Sequence, residues 1–543
     1  MNRVASLLLG MVLGVPGLLS AGVDTAWVRR YDGPAHGEDW ATRIVADSAG
    51  NVYVTGTSMS DTGQNSQYLD FVTIKYYPNG DTAWVRRQDF GSKDIPYGLG
   101  VDAQGNVYVT GTNNDSRMVT VKYGPTGNRL WYEFCGSQGG ASDLVLDSRG
   151  NIIVCGSSYR ASLDAATVKY RPNGDTAWAR FYDWAGLEDL VTATACGQRD
   201  DIATTGDGAT STTHIDCITV RYDSTGDQLW AAGYDGPKHG VDAPNDLAAC
   251  KNGDVVVTGF GDNGYGTPLD YLTIRYDSLG ETLWTRRYDG PAHDWDEASA
   301  VAVDSDGSVY VTGYSYNAST KGDYTTIKYD SAGSVVWLRT YDGLSHNNDQ
   351  AYGLALGDDG CVYVTGRSRG NGTQYDCATI RYGASGETLW TARYDGPFHG
   401  NDEATCMAIN GRGDVAIAGF CDKYGGLDSM DMLVIKYVQN GGVAEQLAAP
   451  VASRLSLVVE PTVSNSRITL RYSIGSSASV RLLVFDAEGR RVRTLAGGGA
   501  SAGANTAVWD GLDERGKRVP AGVYAIVLEA DKERMFVKVV MSE

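Results

Sequence analysis

The chain has 543 residues, 42% of them hydrophobic, and a formal net charge of −20. The apolar content excludes a disordered chain, and the length excludes a single ordinary domain. Residues 451–543 carry 13 Lys/Arg against 10 Asp/Glu, so the acidic excess lies in residues 1–450, a surface that repels phosphate backbones and excludes nucleic acid as a partner.

The first 22 residues, MNRVASLLLGMVLGVPGLLSAG, join one Arg to a short apolar run that ends in small residues. This predicts a secretory signal peptide, and with it a secreted or cell-surface protein. The run is short for a membrane anchor and is broken by Gly and Pro. No later segment is apolar enough to form a transmembrane span.

From residue 23 a unit of about 50 residues repeats. Strands of the VYVTG type recur eight times, beginning at 51, 106, 151, 201, 254, 308, 361 and 414. A second strand, of the TIKYD type, also recurs eight times, from 72 to 433. Eight tryptophans, Trp27, Trp84, Trp131, Trp178, Trp230, Trp284, Trp337 and Trp390, are spaced by 47 to 57 residues. Each unit resolves into four short strands with period-2 alternation, and D-x-x-G marks the first hairpin. Four-stranded repeats of this length predict an all-β fold, a β-propeller of eight blades, with seven as the alternative. The chain enters on a Trp strand at 24–32 and leaves the array on a TIKY strand at 433–437. The first Trp strand is therefore spare and is expected to complete the blade at 402–437, closing the ring without an exposed edge.

Nine cysteines are present and none forms CxxC, so zinc-knuckle and thioredoxin-like motifs are absent. Cys217 and Cys377 fall where other repeats carry Phe71, Tyr271 and Tyr324, which reads as core filling. No GxSxG, HExxH or P-loop occurs, and no cofactor or metal motif is read.

The D-x-A…VAVD-x-x-GNVYVTG pattern resembles the bacterial β-propeller repeat family called SBBP, over residues 23–438. The resemblance implies a fold and carries no catalytic residues with it. A linker, 439–454, follows. Residues 455–543 then alternate like a small β-sandwich. Glu460-Pro461, Val484-Phe485-Asp486, Gly489-Arg490-Arg491-Val492, Trp509-Asp510-Gly511, Gly516 and Gly522-Val523-Tyr524 resemble the Ig-like domain of flagellar hook-cap proteins and the C-terminal sorting domain of type IX secretion. The resemblance implies contact with a secretion or anchoring machinery. A plain Ig-like adhesion or packing module is the other reading.

Five of the six histidines lie in one repeated loop, YDGPAHGED and its variants. The register places this loop between the outer strand of one blade and the inner strand of the next, on a face where propellers commonly seat ligands. Asp39, Asp94, Asp189, Asp242, Asp296, Asp349 and Asp402 hold one position, with Gly139 the exception. His36, His239, His293, His346 and His399 lie three residues earlier, and Gly91, Gly136 and Gly186 take that place in the other repeats. One reading is a face that binds a metal, an anion or a sugar. The other is that Asp caps the turn while His packs against the neighbouring blade. Repetition favours the second, because a catalytic site is usually singular. The His-bearing repeats are contiguous once the ring closes, so one side of the face differs from the other.

Together these features predict an exported binding or scaffold protein with a protein or glycan partner and no cofactor. The rivals are an extracellular enzyme (hydrolase, lyase or quinoprotein-like) acting at the channel mouth, and a purely structural surface-layer component.

Overall fold

The computed structural model describes residues 23–439, apart from 61–67, 114, 210–214, 263–267 and 424–429. It also describes residues 455–542, apart from 461–462, 465–466, 475–477, 487–489, 501–502 and 531–532. Residues 1–22, where a signal peptide is expected, lie outside the described residues, as do His214, Pro461, Gly489 and nearly all of the linker. The chain divides into two compact units, before and after Gly442.

The first unit contains eight four-stranded antiparallel sheets among the described residues. The sixth shows the pattern, with strands Asp296–Val303, Val309–Asn317, Lys321–Tyr329 and Val335–Tyr341 hydrogen-bonded in chain order. Its first hairpin is the D-S-D-G-S segment. There Asp304 Oδ1 accepts from the backbone N–H of Asp306 and Ser308, both at 2.9 Å, and Gly307 takes φ +81°. The last sheet combines Asp402–Ile409, Val415–Asp422 and Met430–Gln439 with the N-terminal strand Val23–Tyr31, Val28 opposite Ile435. The first strand of each sheet lies against the first strand of the next, and Asp402–Ile409 lies against Asp39–Ala46. The sheets therefore form a closed ring, a β-propeller, with the first strands around the axis.

Every first strand carries a β-bulge, at Ala41/Arg43 in the first blade and Val191/Ala193 in the fourth. Opposite each bulge stands the Gly of the VYVTG strand: Gly56, Gly111, Gly156, Gly206, Gly259, Gly313, Gly366 and Gly419. A Cβ at any of them would run into a backbone carbonyl oxygen of the inner strand. Close approach of two backbones is what makes glycine obligatory here. The bulged residues also brace the ring: Thr405 Oγ1 donates to the Ala41 carbonyl at 3.1 Å and Asn245 Nδ2 to the Ala298 carbonyl at 2.8 Å.

The repeated tryptophans lock blade to blade. Trp27 Nε1 donates to the Pro78 carbonyl at 3.0 Å in the next blade's outer hairpin, and its ring packs on Tyr76. Trp84, Trp178, Trp230, Trp284 and Trp337 repeat the arrangement. All nine cysteines are unpaired, and Cys217 and Cys377 are wholly buried in the core.

The second unit is a β-sandwich. A three-stranded sheet (Leu455–Glu460, Ile468–Ile474, Gly503–Trp509) accompanies a five-stranded one that includes Ala478–Phe485, Gly522–Ala530 and Glu533–Met541. Ile468, Leu470, Val480, Leu482, Trp509, Tyr524 and Ile526 form its core. The polar ends of the two aromatic rings are satisfied locally: Trp509 Nε1 donates to the Leu512 carbonyl at 3.0 Å, and Tyr524 Oη to the Pro520 carbonyl at 2.7 Å.

Candidate functional site

The crossover loops run from each outer strand to the next inner strand. Their repeated Asp opens the inner strand and is buried. Asp39, Asp242, Asp296, Asp349 and Asp402 are fully enclosed, and each Oδ2 accepts from the N–H of the glycine six residues earlier (Gly33, Gly236, Gly290, Gly343, Gly396) at 2.5–2.7 Å. Asp94 and Asp189 do the same for Phe90 and Trp184. The carboxylate thus staples the crossover. Burial pushes Asp39, Asp189 and Asp242 up to about 6 and Asp402 to about 7.

The histidines sit at the opposite extreme. Their side chains are 66–79% exposed, and each Nδ1 lies 2.5–2.8 Å from the Asp four residues earlier. That hydrogen bond raises the pKa of His239, His293 and His346. All five histidines adopt φ between +50° and +55°. Gly91, Gly136 and Gly186 also have positive φ. The position therefore needs a left-handed residue. Glycine meets the need freely, and His is among the few side chains that tolerate it. Among the described residues, none of the side-chain groups placed to share one metal ion includes a histidine.

A groove does open on this face, over blades five to seven. It holds about 430 Å³ and is lined by Leu269, Trp295, Asp296, Glu297, Tyr314 and Tyr316, with Asp294, Asn348, Gln350 and Arg367. Trp295 stands at its lip with 57% of its surface exposed. Arg367 forms its polar floor: Nη1 donates to Glu403 Oε1 and Nη2 to Gln350 Oε1, both at 3.0 Å. The guanidinium also stacks on Tyr375, 4.5 Å from the ring centre. Asn245 Nδ2 holds Glu297 Oε1 at 3.0 Å. The groove thus combines an exposed indole and tyrosines with donors and acceptors fixed by their neighbours. Of the twelve His and Asp positions singled out in the sequence, Asp296 lines this groove and His399 lines a shallower hollow with Ser345, Asn347 and Thr373. The other ten line neither.

Apart from Asp296, the groove's residues were not singled out in the sequence. Glu297 and Gln350 of the groove, and Glu403 that holds Arg367, directly follow the repeated Asp, where the other blades carry Trp40, Ile95, Gly140, Leu190 and Ala243. Tyr314 and Arg367 follow the repeated Gly, where Thr57, Thr112 and Ser157 stand in blades one to three. Aligning the repeats and looking for departures just beside the invariant residues would have found them.

Comparison with known proteins gives two family matches. The beta-propeller repeat called SBBP matches residues 27–61 and 83–115, and the FlgD Ig-like domain matches residues 458–534. The chain carries SBBP beta-propeller repeats and an FlgD Ig-like domain. A curated relative, regulatory protein FlaEY of Caulobacter vibrioides, is 34% identical over 115 residues, covering 18% of this chain and 12% of that protein. The chain therefore matches only a small part of that relative's length. Among solved structures, PorZ of Porphyromonas gingivalis, described as a surface component of the type-IX secretion system, is 12% identical with a TM-score of 0.40, covering 92% of this chain and 70% of that one. Sqt1 from Chaetomium thermophilum is 9% identical with a TM-score of 0.48, covering 77% and 100%. The periplasmic gluconolactonase PpgL of Pseudomonas aeruginosa is 12% identical with a TM-score of 0.40, covering 63% and 95%. Likeness at these levels carries nothing about ligand or activity.

Proposed function

We propose that the protein is an exported, surface-held binding protein whose ligand is a neutral glycan seated in the groove over blades five to seven. The observation that carries this reading is the exposed Trp295 beside Tyr314 and Tyr316, above the fixed polar floor of Arg367, Gln350 and Glu297. A sugar ring offers a flat C–H face to an aromatic platform and a rim of hydroxyls to planar hydrogen-bonding groups, and the groove supplies both. Asp294, Asp296 and Glu297 leave it acidic, which favours neutral over anionic saccharides. Residues 455–543, which resemble type IX sorting domains, serve to deliver or hold the chain at the surface in this reading.

The test uses an exporting bacterium displaying the full chain, probed with fluorescent oligosaccharides of hexose and N-acetylhexosamine units. Labelling is expected on displaying cells, cut at least about tenfold by Trp295→Ala or Arg367→Ala at equal display. Removal of residues 455–543 is expected to abolish display. Equal labelling of wild type and both variants would remove the groove from the reading, and unchanged display without 455–543 would remove the anchoring role.

A further inference from the structure

Three aspartates converge where the sixth blade meets the seventh. Asp323 lies in the third strand of the sixth blade, Asp342 follows its outer strand, and Asp349 opens the inner strand of the seventh. One carboxylate oxygen of each lies within 4.8 Å of the others. Asp323 is only 4% exposed and Asp349 fully buried. Some of the oxygens are satisfied: Asp349 accepts from Gly343 N and Arg369 N, Asp323 Oδ2 from Thr320 Oγ1, and Asp342 Oδ2 pairs with His346. The buried Oδ1 atoms of Asp323 and Asp342 have no hydrogen-bond partner. Orphaned, desolvated carboxylate oxygens facing like charges are costly unless something positive sits among them.

The other junctions show how the repeat supplies that charge. Equivalent triads occur at Asp32, Asp39 and Asp431, at Asp70, Asp89 and Asp94, and at Asp270, Asp289 and Asp296. Lys423 pairs with Asp32 in the first, Arg87 with Asp70 at 2.9 Å in the second, and Arg287 with Asp270 at 3.6 Å in the third. Arg87 and Arg287 occupy the same place on their outer strands, opposite Val72 and Leu272. In the sixth blade that place is Thr340, opposite Thr325. Arg393 of the seventh blade is committed to Asp376 at 2.7 Å and to Ser368. Among the described residues no Lys or Arg pairs with Asp323 or Asp342.

We infer that this junction binds one calcium ion, ligated by Asp323, Asp342 and Asp349, in place of the basic side chain used elsewhere. An all-carboxylate donor set selects a hard cation, and calcium tolerates irregular geometry and completes its sphere with water. Asp342 is a quarter exposed, which leaves a side open to water. The ion ties the outer edge of one blade to the inner strand of the next, beneath a loop whose Asn348 lines the groove.

The test is thermal unfolding of the full chain after EDTA treatment, with and without CaCl₂, alongside calcium content by atomic emission. One retained ion per chain is expected, with Tm raised by about 3 °C in calcium. Asp323→Asn should lose the calcium response. Thr340→Arg should lose it too, yet unfold in EDTA no earlier than wild type, because the guanidinium fills the ion's role. A wild type that neither retains calcium nor shifts would overturn the inference. So would a shift that survives both substitutions.

Discussion

Two neighbouring positions on the same propeller face behave in opposite ways. The Asp that opens each inner strand is nearly invariant among the blades, buried, and bonded to its own crossover. The very next residue changes from blade to blade, and in blades six to eight it becomes Glu297, Gln350 and Glu403 around Arg367. What repeats is what every blade needs in order to close its turn. What varies is free of that duty and can be spent on a ligand. The comparison also separates the two meanings of a concentrated residue type. Five histidines in five loops mark a recurring backbone need, whereas one arginine pinned by two neighbours on different strands marks a single place.

The sharpest way to break the comparison is to damage a repeated residue far from the groove. Gly206 in the fourth blade faces Leu190 and Val191 backbone across the bulge, and a Cβ there has only backbone to displace. Gly206→Ala is expected to destabilise the propeller by at least about 3 kcal/mol, since neither strand can give way without losing its ladder. Chemical unfolding of the full chain measures it. A cost under about 1 kcal/mol would show that the bulge is adaptable and that the repeated glycine has another cause.

A middle-sized effect comes from the staple itself. Asp402→Ala leaves the buried Gly396 N–H without its acceptor and should cost about 1–3 kcal/mol. Asp402→Asn keeps a carbonyl acceptor and should cost less at pH 8, because it also removes a buried charge. The pH dependence follows from the same burial. Asp402, held near 7 against an ordinary carboxyl near 3.8, favours the folded state when protonated. Its contribution is fully present below the unfolded pKa and is lost as pH rises through 7; Asp39, Asp189 and Asp242 behave likewise through about 6. The hairpin aspartates run the other way. Burial pushes Asp47 and Asp304 up, but hydrogen bonds led by those from Asn51 and Ser308 outweigh it and hold both below the ordinary value, so their contribution fades only in acid. The protein should therefore be most stable near pH 4, with a higher Tm at pH 5.5 than at pH 8. Asp402→Asn should flatten that slope, and an unchanged slope would mean the staple is not the titrating group.

The propeller could be read from the sequence because its devices recur. Alternation marked the strands, D-x-x-G marked the first hairpins, and the evenly spaced tryptophans marked the contacts that Trp27 and Trp284 make with the next blade. The groove could not be read in this way. Its residues come from the inner strands of the sixth and seventh blades, from the second strands that carry Tyr314, Tyr316 and Arg367, from two crossover loops and from Leu269 of the fifth blade, and they meet only once neighbouring blades pack together. Nor could the histidine's role, since a side chain chosen for its φ angle looks the same in a sequence as one chosen for its imidazole.

The smallest expected effect tests that last distinction. His293 sits at φ +52°, with its ring exposed and bonded to Asp289. If the backbone is what the position selects, His293→Gly should leave the urea midpoint unchanged, because an exposed ion pair is worth little and glycine adopts the angle freely. His293→Val should lower it, since a β-branched residue is strained there whatever its surroundings. The order Gly above Val is the result to look for in urea midpoints of the full chain. The reverse order would mean that the side chain, and not the turn, is what five blades preserve. Gly91, Gly136 and Gly186 argue against that reversal, because three blades already close the same crossover with no side chain at all.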